Sequence, residues 1–102
     1  MGACNFIEFQ AAKTAKEAFD ILVEDALSWY GHDPYNGTIS TTSLSRRVPK
    51  DVGQKTYGPR AEKRAIKMAE ADGWGEKWEA RVIDCGKTKG GRMWAFYGWA
   101  AC

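Results

Sequence analysis

The chain has 102 residues, 44% hydrophobic and 27% charged, the balance of one soluble globular domain spanning 1–102 and not of a disordered segment. A formal net charge of +2 is too small to argue by itself for nucleic-acid binding. No apolar run approaches the roughly 18 residues that a membrane span requires, so no membrane partner is expected. The N-terminal MGACNFIEFQ has neither a basic start nor a long apolar stretch, which leads to the expectation of a cytoplasmic protein. Met1-Gly2 does not continue as an acylation signal, because Phe6 stands where Ser or Thr is needed.

Residues 3 to 10 carry Cys4, Phe6, Ile7 and Phe9 with apolar side chains on both faces, which predicts a strand covered on two sides. Thr14 and Glu17 form a capping box. Behind it Ala15, Ala18, Phe19, Leu22, Ala26 and Trp29 recur at helical intervals up to the stop at Gly31. Asp33-Pro34 and Asn36-Gly37 are two successive turn signals, and TISTT (38–42) has the β-branched content of a strand. Residues 45 to 58, with Pro49, Gly53 and Gly58, have no usable period and predict an ordered or mobile loop of functional length.

Pro59 suits the first turn of a second helix that runs to Gly73, with a thin buried stripe of Ala61, Ala65, Met68, Ala69 and Asp72. A stripe of such small side chains packs close to its support. WEARVIDC (78–85) and RMWAFYGWAA (92–101) read as two strands joined by GKTKGG. The last strand is apolar on both faces, so it is either central in a covered sheet or turns one face to another protein. The order β-α-β-loop-α-β-β is an α+β layout: two helices against a mostly antiparallel sheet of about four strands.

Charge is distributed unevenly. Residues 1 to 44 hold two lysines against six acids, whereas 45 to 67 hold Arg46, Arg47, Lys50, Lys55, Arg60, Lys63, Arg64 and Lys67 against Asp51 and Glu62. Arg60, Lys63, Arg64 and Lys67 share one helix face. Cys4, Cys85 and Cys102 are odd in number and scattered, which indicates neither a disulfide framework nor a zinc site and leaves buried free thiols as the expectation. His32 beside Asp33 is not an expected catalytic pair, since adjacent residues rarely face each other and the chain has one histidine. A metal site and a cofactor are not expected either.

An Asn-Gly turn followed by hydroxyl side chains can hold phosphate or carboxylate oxygens, and guanidinium forks downstream can supply the fixed charge. The candidate site is therefore Tyr35, Asn36, Thr38, Ser40 and Thr42 for hydrogen bonds with Arg46, Arg47, Arg60 and Arg64 for charge. The expected function is non-enzymatic capture of a small anionic, nucleotide-like ligand. Two alternatives stand beside it. One is an inhibitor or interaction module that binds a host protein through the apolar face of the last strand and the basic helix, and the other is a nucleic-acid binder using the same basic helix. With its size, its β-α-β plan and a Gly-Thr-Ile-Ser-Thr loop followed by arginines, the chain resembles the small phage-encoded counter-defence proteins that sequester nucleotide signals or block nucleases. That resemblance implies a homo-oligomer that holds its ligand without turnover in the host cytoplasm.

Overall fold

Both helices form where the sequence caps them. The computed structural model describes residues 2–31 and 38–102, so His32 and both turn signals lie outside the described residues. Helix α1 covers Ala15–Tyr30: the Thr14 hydroxyl accepts from the Glu17 amide, and Gly31, at φ 71°, closes it by donating to the Leu27 carbonyl. Helix α2 covers Pro59–Ala71, with Pro59 in its first turn and Asp72 as C-cap. Neither helix among the described residues is long and apolar enough to cross a membrane.

Three long strands, β1 (Ala3–Ala12), β4 (Glu79–Thr88) and β5 (Gly91–Ala101), form the antiparallel body of the sheet. Two short strands, β2 (Ser43–Leu44) and β3 (Lys50–Asp51), pair with β4 in parallel. The order is β1-β5-β4-β2, with β3 beside β4 as well, which gives an α+β fold with a five-stranded, mostly antiparallel sheet. The expected fold class holds, with one strand more than about four.

Central β5 explains the doubly apolar last strand. Trp94 and Phe96 point to one side with Val82, Ala80 and the α1 residues Ala18, Leu22 and Ala26; Ala95 and Tyr97 point to the other with Ile83, Cys85 and the α2 residues Ala61, Ala65 and Ala69. Alternation along the strands puts these two cores on opposite faces, so the sheet is sandwiched between the helices. The three α2 alanines are completely or almost completely buried, because side chains this short let the helix axis sit close to the sheet. Both faces of β5 are thus covered by the helices over most of its length, with Met93 and Trp99 half-buried.

Four expectations need correction. TISTT forms no strand: Ile39–Thr41 is a 3-10 turn capped by Thr38. The Thr38 hydroxyl accepts from the Ser40 amide, and the Thr41 and Thr42 hydroxyls donate to the carbonyls of Thr38 and Ile39 at 2.9 and 2.7 Å. Such local bonds compete with a β ladder and here displace it. Trp29, placed in the buried stripe of α1, is 79% exposed. Cys4 and Cys102 are not free thiols but a disulfide, made possible because β1 and β5 pair and bring the two ends of the chain side by side. The 45–58 segment is not a loop without regular structure: it holds β3 and is bonded to β4 at Ser45, Lys50–Val52 and Lys55–Tyr57, with residues 46–49 bowing out between. Cys85 does match the expectation of a buried thiol, and burial pushes its pKa up to about 12, far from the thiolate form that reacts.

Candidate functional site

The sheet edge beyond β4 carries the site. Residues 43–57 run parallel to β4 along its outer edge, starting with the Ser43 amide donating to Trp78 O at 3.0 Å and the Ser45 amide to Ala80 O at 2.9 Å. Five residues, 45–49, separate Leu44 from Lys50, whereas only Arg81 and Val82 separate their partners Ala80 and Ile83 on β4. The surplus bows outward. It carries Arg46, Arg47 and Val48 into solvent, Val48 being 89% exposed.

Facing this bow is the turn that leads from α2 into β4. Trp78 sits there at φ 66°, a left-handed conformation that costs a non-glycine residue roughly 1–2 kcal/mol. It is held on both sides: its amide donates to Trp99 O at 2.8 Å and its carbonyl accepts from Ser43. The backbone thus stays fixed while the indole remains 45% exposed. Between residues 43–47 and Lys77–Glu79 lies an open groove of about 590 Å3. Arg46, Arg47 and Lys77 line it and make no ion pair among the described residues. Glu79 is its one carboxylate, and that group accepts from Arg81 Nε at 3.3 Å, which offsets its charge.

A second cluster lies beside the groove, with Ser45 and Arg47 common to both. Arg81, 12% exposed, donates to Asp72 Oδ2 at 2.6 Å, and the buried Tyr97 hydroxyl donates to the same oxygen at 2.7 Å. Lys50 Nζ lies 3.5 Å from that oxygen and 5.9 Å from the centre of the Tyr97 ring. These groups surround a small cavity of about 100 Å3 that Arg47 also lines. The Tyr97 hydrogen bond, then Arg81 and Lys50, hold the Asp72 carboxyl below its usual pKa against the opposing effect of burial. Burial and the bond to Asp72 push Tyr97 up to about 12, so its proton stays in place at neutral pH.

This arrangement sets a pH dependence. A depressed folded-state pKa contributes stability that is complete above the unfolded value and lost as pH falls through the folded one. The difference in melting temperature between the wild type and Asp72→Asn is therefore expected to be widest above about pH 5 and to narrow below about pH 4. Glu8, raised by burial and by Asp25, acts with opposite sign, since a raised carboxylate pKa favours the fold as pH falls through it. Comparing the two proteins at each pH cancels that contribution. A constant difference from pH 3 to pH 7 would mean that the Asp72 charge does not anchor the helix end.

No protein family, curated protein or solved structure matches this chain. The site is read from its geometry alone. Of the residues expected to form it, Tyr35 and Asn36 lie outside the described residues. Thr38, Ser40 and Thr42 belong to the 3-10 turn, which Ile39 anchors in the core on the α1 side. Their hydroxyls close that turn, Thr38 and Ser40 lying 2.8 Å apart, and the neighbouring Thr41 accepts from the Ala101 amide at 3.0 Å. Arg60 and Arg64 lie on α2, on the opposite side of the sheet, in a shallow groove of about 330 Å3 shared with Pro59, Lys63 and Lys67. Hydroxyls and helix guanidiniums are thus not brought together.

Arg46 and Arg47 are brought together, but with Ser43, Ser45, Lys77 and Trp78, which the expected site did not include. A usable signal lay in DGWGEKWE (72–79), where glycines, charged residues and two tryptophans alternate in a connection too rich in large side chains for a plain turn.

Proposed function

We propose that this protein is a non-enzymatic binding protein that captures a small anionic, nucleotide-like ligand in the groove between residues 43–47 and Lys77–Glu79. The observation that carries this reading is the exposed Trp78 ring, backbone-pinned in a left-handed conformation, across from two arginines that make no ion pair among the described residues. A flat ring can stack on a base, and guanidinium forks suit phosphate. Ser45, whose oxygen accepts from the Arg47 amide at 3.1 Å, keeps its own proton to donate. The one carboxylate in the groove is held by Arg81, which favours holding a ligand over acting on it as a base. A phage counter-defence protein that sequesters a nucleotide signal would use such a site in the host cytoplasm without turnover.

Replacing Arg46 and Arg47 together with alanine is expected to weaken nucleotide binding by about two orders of magnitude, as loss of charge-assisted hydrogen bonds does, while leaving the melting temperature of the free protein unchanged. Tryptophan fluorescence quenching, compared with that of Trp78→Phe, and ligand-induced thermal shift over a panel of nucleotides measure both. Unchanged affinity in the double variant, or no response of the wild type to any nucleotide, removes the proposal.

A further inference from the structure

The groove is one end of a longer feature. After Arg47 the chain stays on the outer edge of β4: the Val52 amide donates to Asp84 O at 3.1 Å, the Tyr57 amide to Lys87 O at 2.8 Å, and Lys87 in turn to Lys55 O at 2.9 Å. Contact is close enough that a Cβ at Gly86 would come within 2.7 Å of the Gln54 carbonyl oxygen. Residues 43–57 therefore form a strap that follows β4 from Glu79 to Lys87, eight residue steps or roughly 26 Å. Exposed cations stand at both ends of the strap, while Lys50 between them is paired with Asp72. Lys77, Arg46 and Arg47 stand at one end and Lys55 and Lys87 at the other, all exposed. Acids along the edge are already engaged: Glu79 with Arg81, Asp84 with Arg92 at 3.0 Å, and Asp51 accepting from the Gly53 amide at 2.7 Å.

We infer that the occupant of this edge is a single-stranded nucleic acid whose end base stacks on Trp78 and whose phosphates follow the strap from Arg46 and Arg47 to Lys55 and Lys87. The inference rests on the proposed nucleotide-binding groove and names the class of ligand that fills it. A mononucleotide satisfies only the Trp78 end, whereas a second group of cations, Lys55 and Lys87, stands at the far end of a length that spans about eight stacked nucleotides at 3.4 Å each. A single strand fits better than a duplex, because an exposed ring reads an unpaired base and an open edge accepts a flexible backbone.

Oligothymidylates and oligouridylates of two to twelve nucleotides, titrated against the whole protein by Trp fluorescence, test this together with a mononucleotide. Affinity is expected to rise with length and level off by about eight nucleotides. With three or four phosphates neutralised, log K should fall against log salt with a slope of about −2 to −3. Lys55→Ala should weaken octamer binding several-fold and leave mononucleotide binding unchanged, while Lys63→Ala on α2 should change the octamer less than Lys55→Ala does. A mononucleotide held as tightly as the octamer, or a duplex held as tightly as the single strand, overturns the inference but leaves the groove as a nucleotide site. Binding of neither overturns both.

Discussion

Replacing Cys4 and Cys102 with serine is expected to lower the stability of the fold by about 3–4 kcal/mol. The two cysteines are 98 positions apart in sequence, so the bond closes almost the whole chain into one loop. Chain-entropy reasoning assigns a loop of that length about 4.7 kcal/mol, and measured losses on removing a native disulfide run at about 2–5 kcal/mol. The middle of that range applies here, and β1 and β5 remain joined by an unbroken register from Ala3↔Ala101 to Ala12↔Arg92, which survives the substitution. The loss should show first at the ends. Gly2 and Cys102 exchange two backbone hydrogen bonds, of 3.1 and 3.2 Å, and β1 has a strand partner on one side only among the described residues.

At about 4–8 °C per kcal/mol for a domain of this size, the double variant should melt more than about 10 °C below the oxidised wild type. Reductant should bring the wild type down to the same temperature and leave the variant unmoved. In a reducing compartment thiols stay reduced, and there the protein would work with the lower stability. Equal melting temperatures with and without reductant would show that the strand ladder alone holds the chain ends.

The disulfide also shows why part of the structure was legible in the sequence and part was not. Helix α1 announced itself because everything that defines it is local: Thr14 caps Glu17, Gly31 ends the last turn, and Ala18, Leu22 and Ala26 repeat every four residues between them. Helix α2 was as plain, from Pro59 and the spacing of Ala61, Ala65 and Ala69. The partnership of Cys4 and Cys102 depends on β1 lying beside β5, and nothing near either cysteine encodes that. TISTT misled because β-branched threonines favour strands in general, while their hydroxyls here found closer partners in their own turn.

The site divides along the same line. Arg46 and Arg47 stood out because two adjacent arginines in a loop without period are visible as composition. Lys77 and Trp78 reach them only because β2 pairs with the start of β4, a contact between positions 36 apart. The hydroxyl residues 38–42 were adjacent in sequence to the arginines, yet Ile39 draws them into the α1 core and Arg46 bows away at the far sheet edge. Adjacency in sequence was a poor guide to convergence in space.

Gly98→Ala is expected to cost about 3 kcal/mol and to damage the groove at the same time. Gly98 lies in the middle of β5, with a backbone that any residue can adopt, so the requirement for glycine is one of space. A Cβ there would collide with the Glu79 carbonyl oxygen, and Phe6 Cε1 at 3.4 Å closes the space beside it. The Glu79 backbone has no room to retreat. Trp78 is bonded to Trp99 on one side and to Ser43 on the other, and Glu79 is in register with Ser43. One methyl group therefore pries β4 from β5 where the sheet is most tightly packed, an overpacking cost at the upper end of the usual 1–3 kcal/mol.

The same displacement moves Lys77, Trp78 and Glu79, the wall of the groove, so whatever fraction of the variant folds should also bind nucleotide more weakly and quench less. Gly58→Ala supplies the comparison, since a Cβ at Gly58 meets nothing within 4 Å and the position is also extended, at φ −173°. Both substitutions reduce the freedom of the unfolded chain alike, and at the Gly58 N-cap an alanine costs no more than about 1 kcal/mol. The difference between the two melting temperatures then isolates the collision with Glu79. If Gly98→Ala melts within a degree or two of Gly58→Ala and binds normally, β4 and β5 can part at this point without penalty, and the left-handed backbone of Trp78 must be held by Ser43 alone.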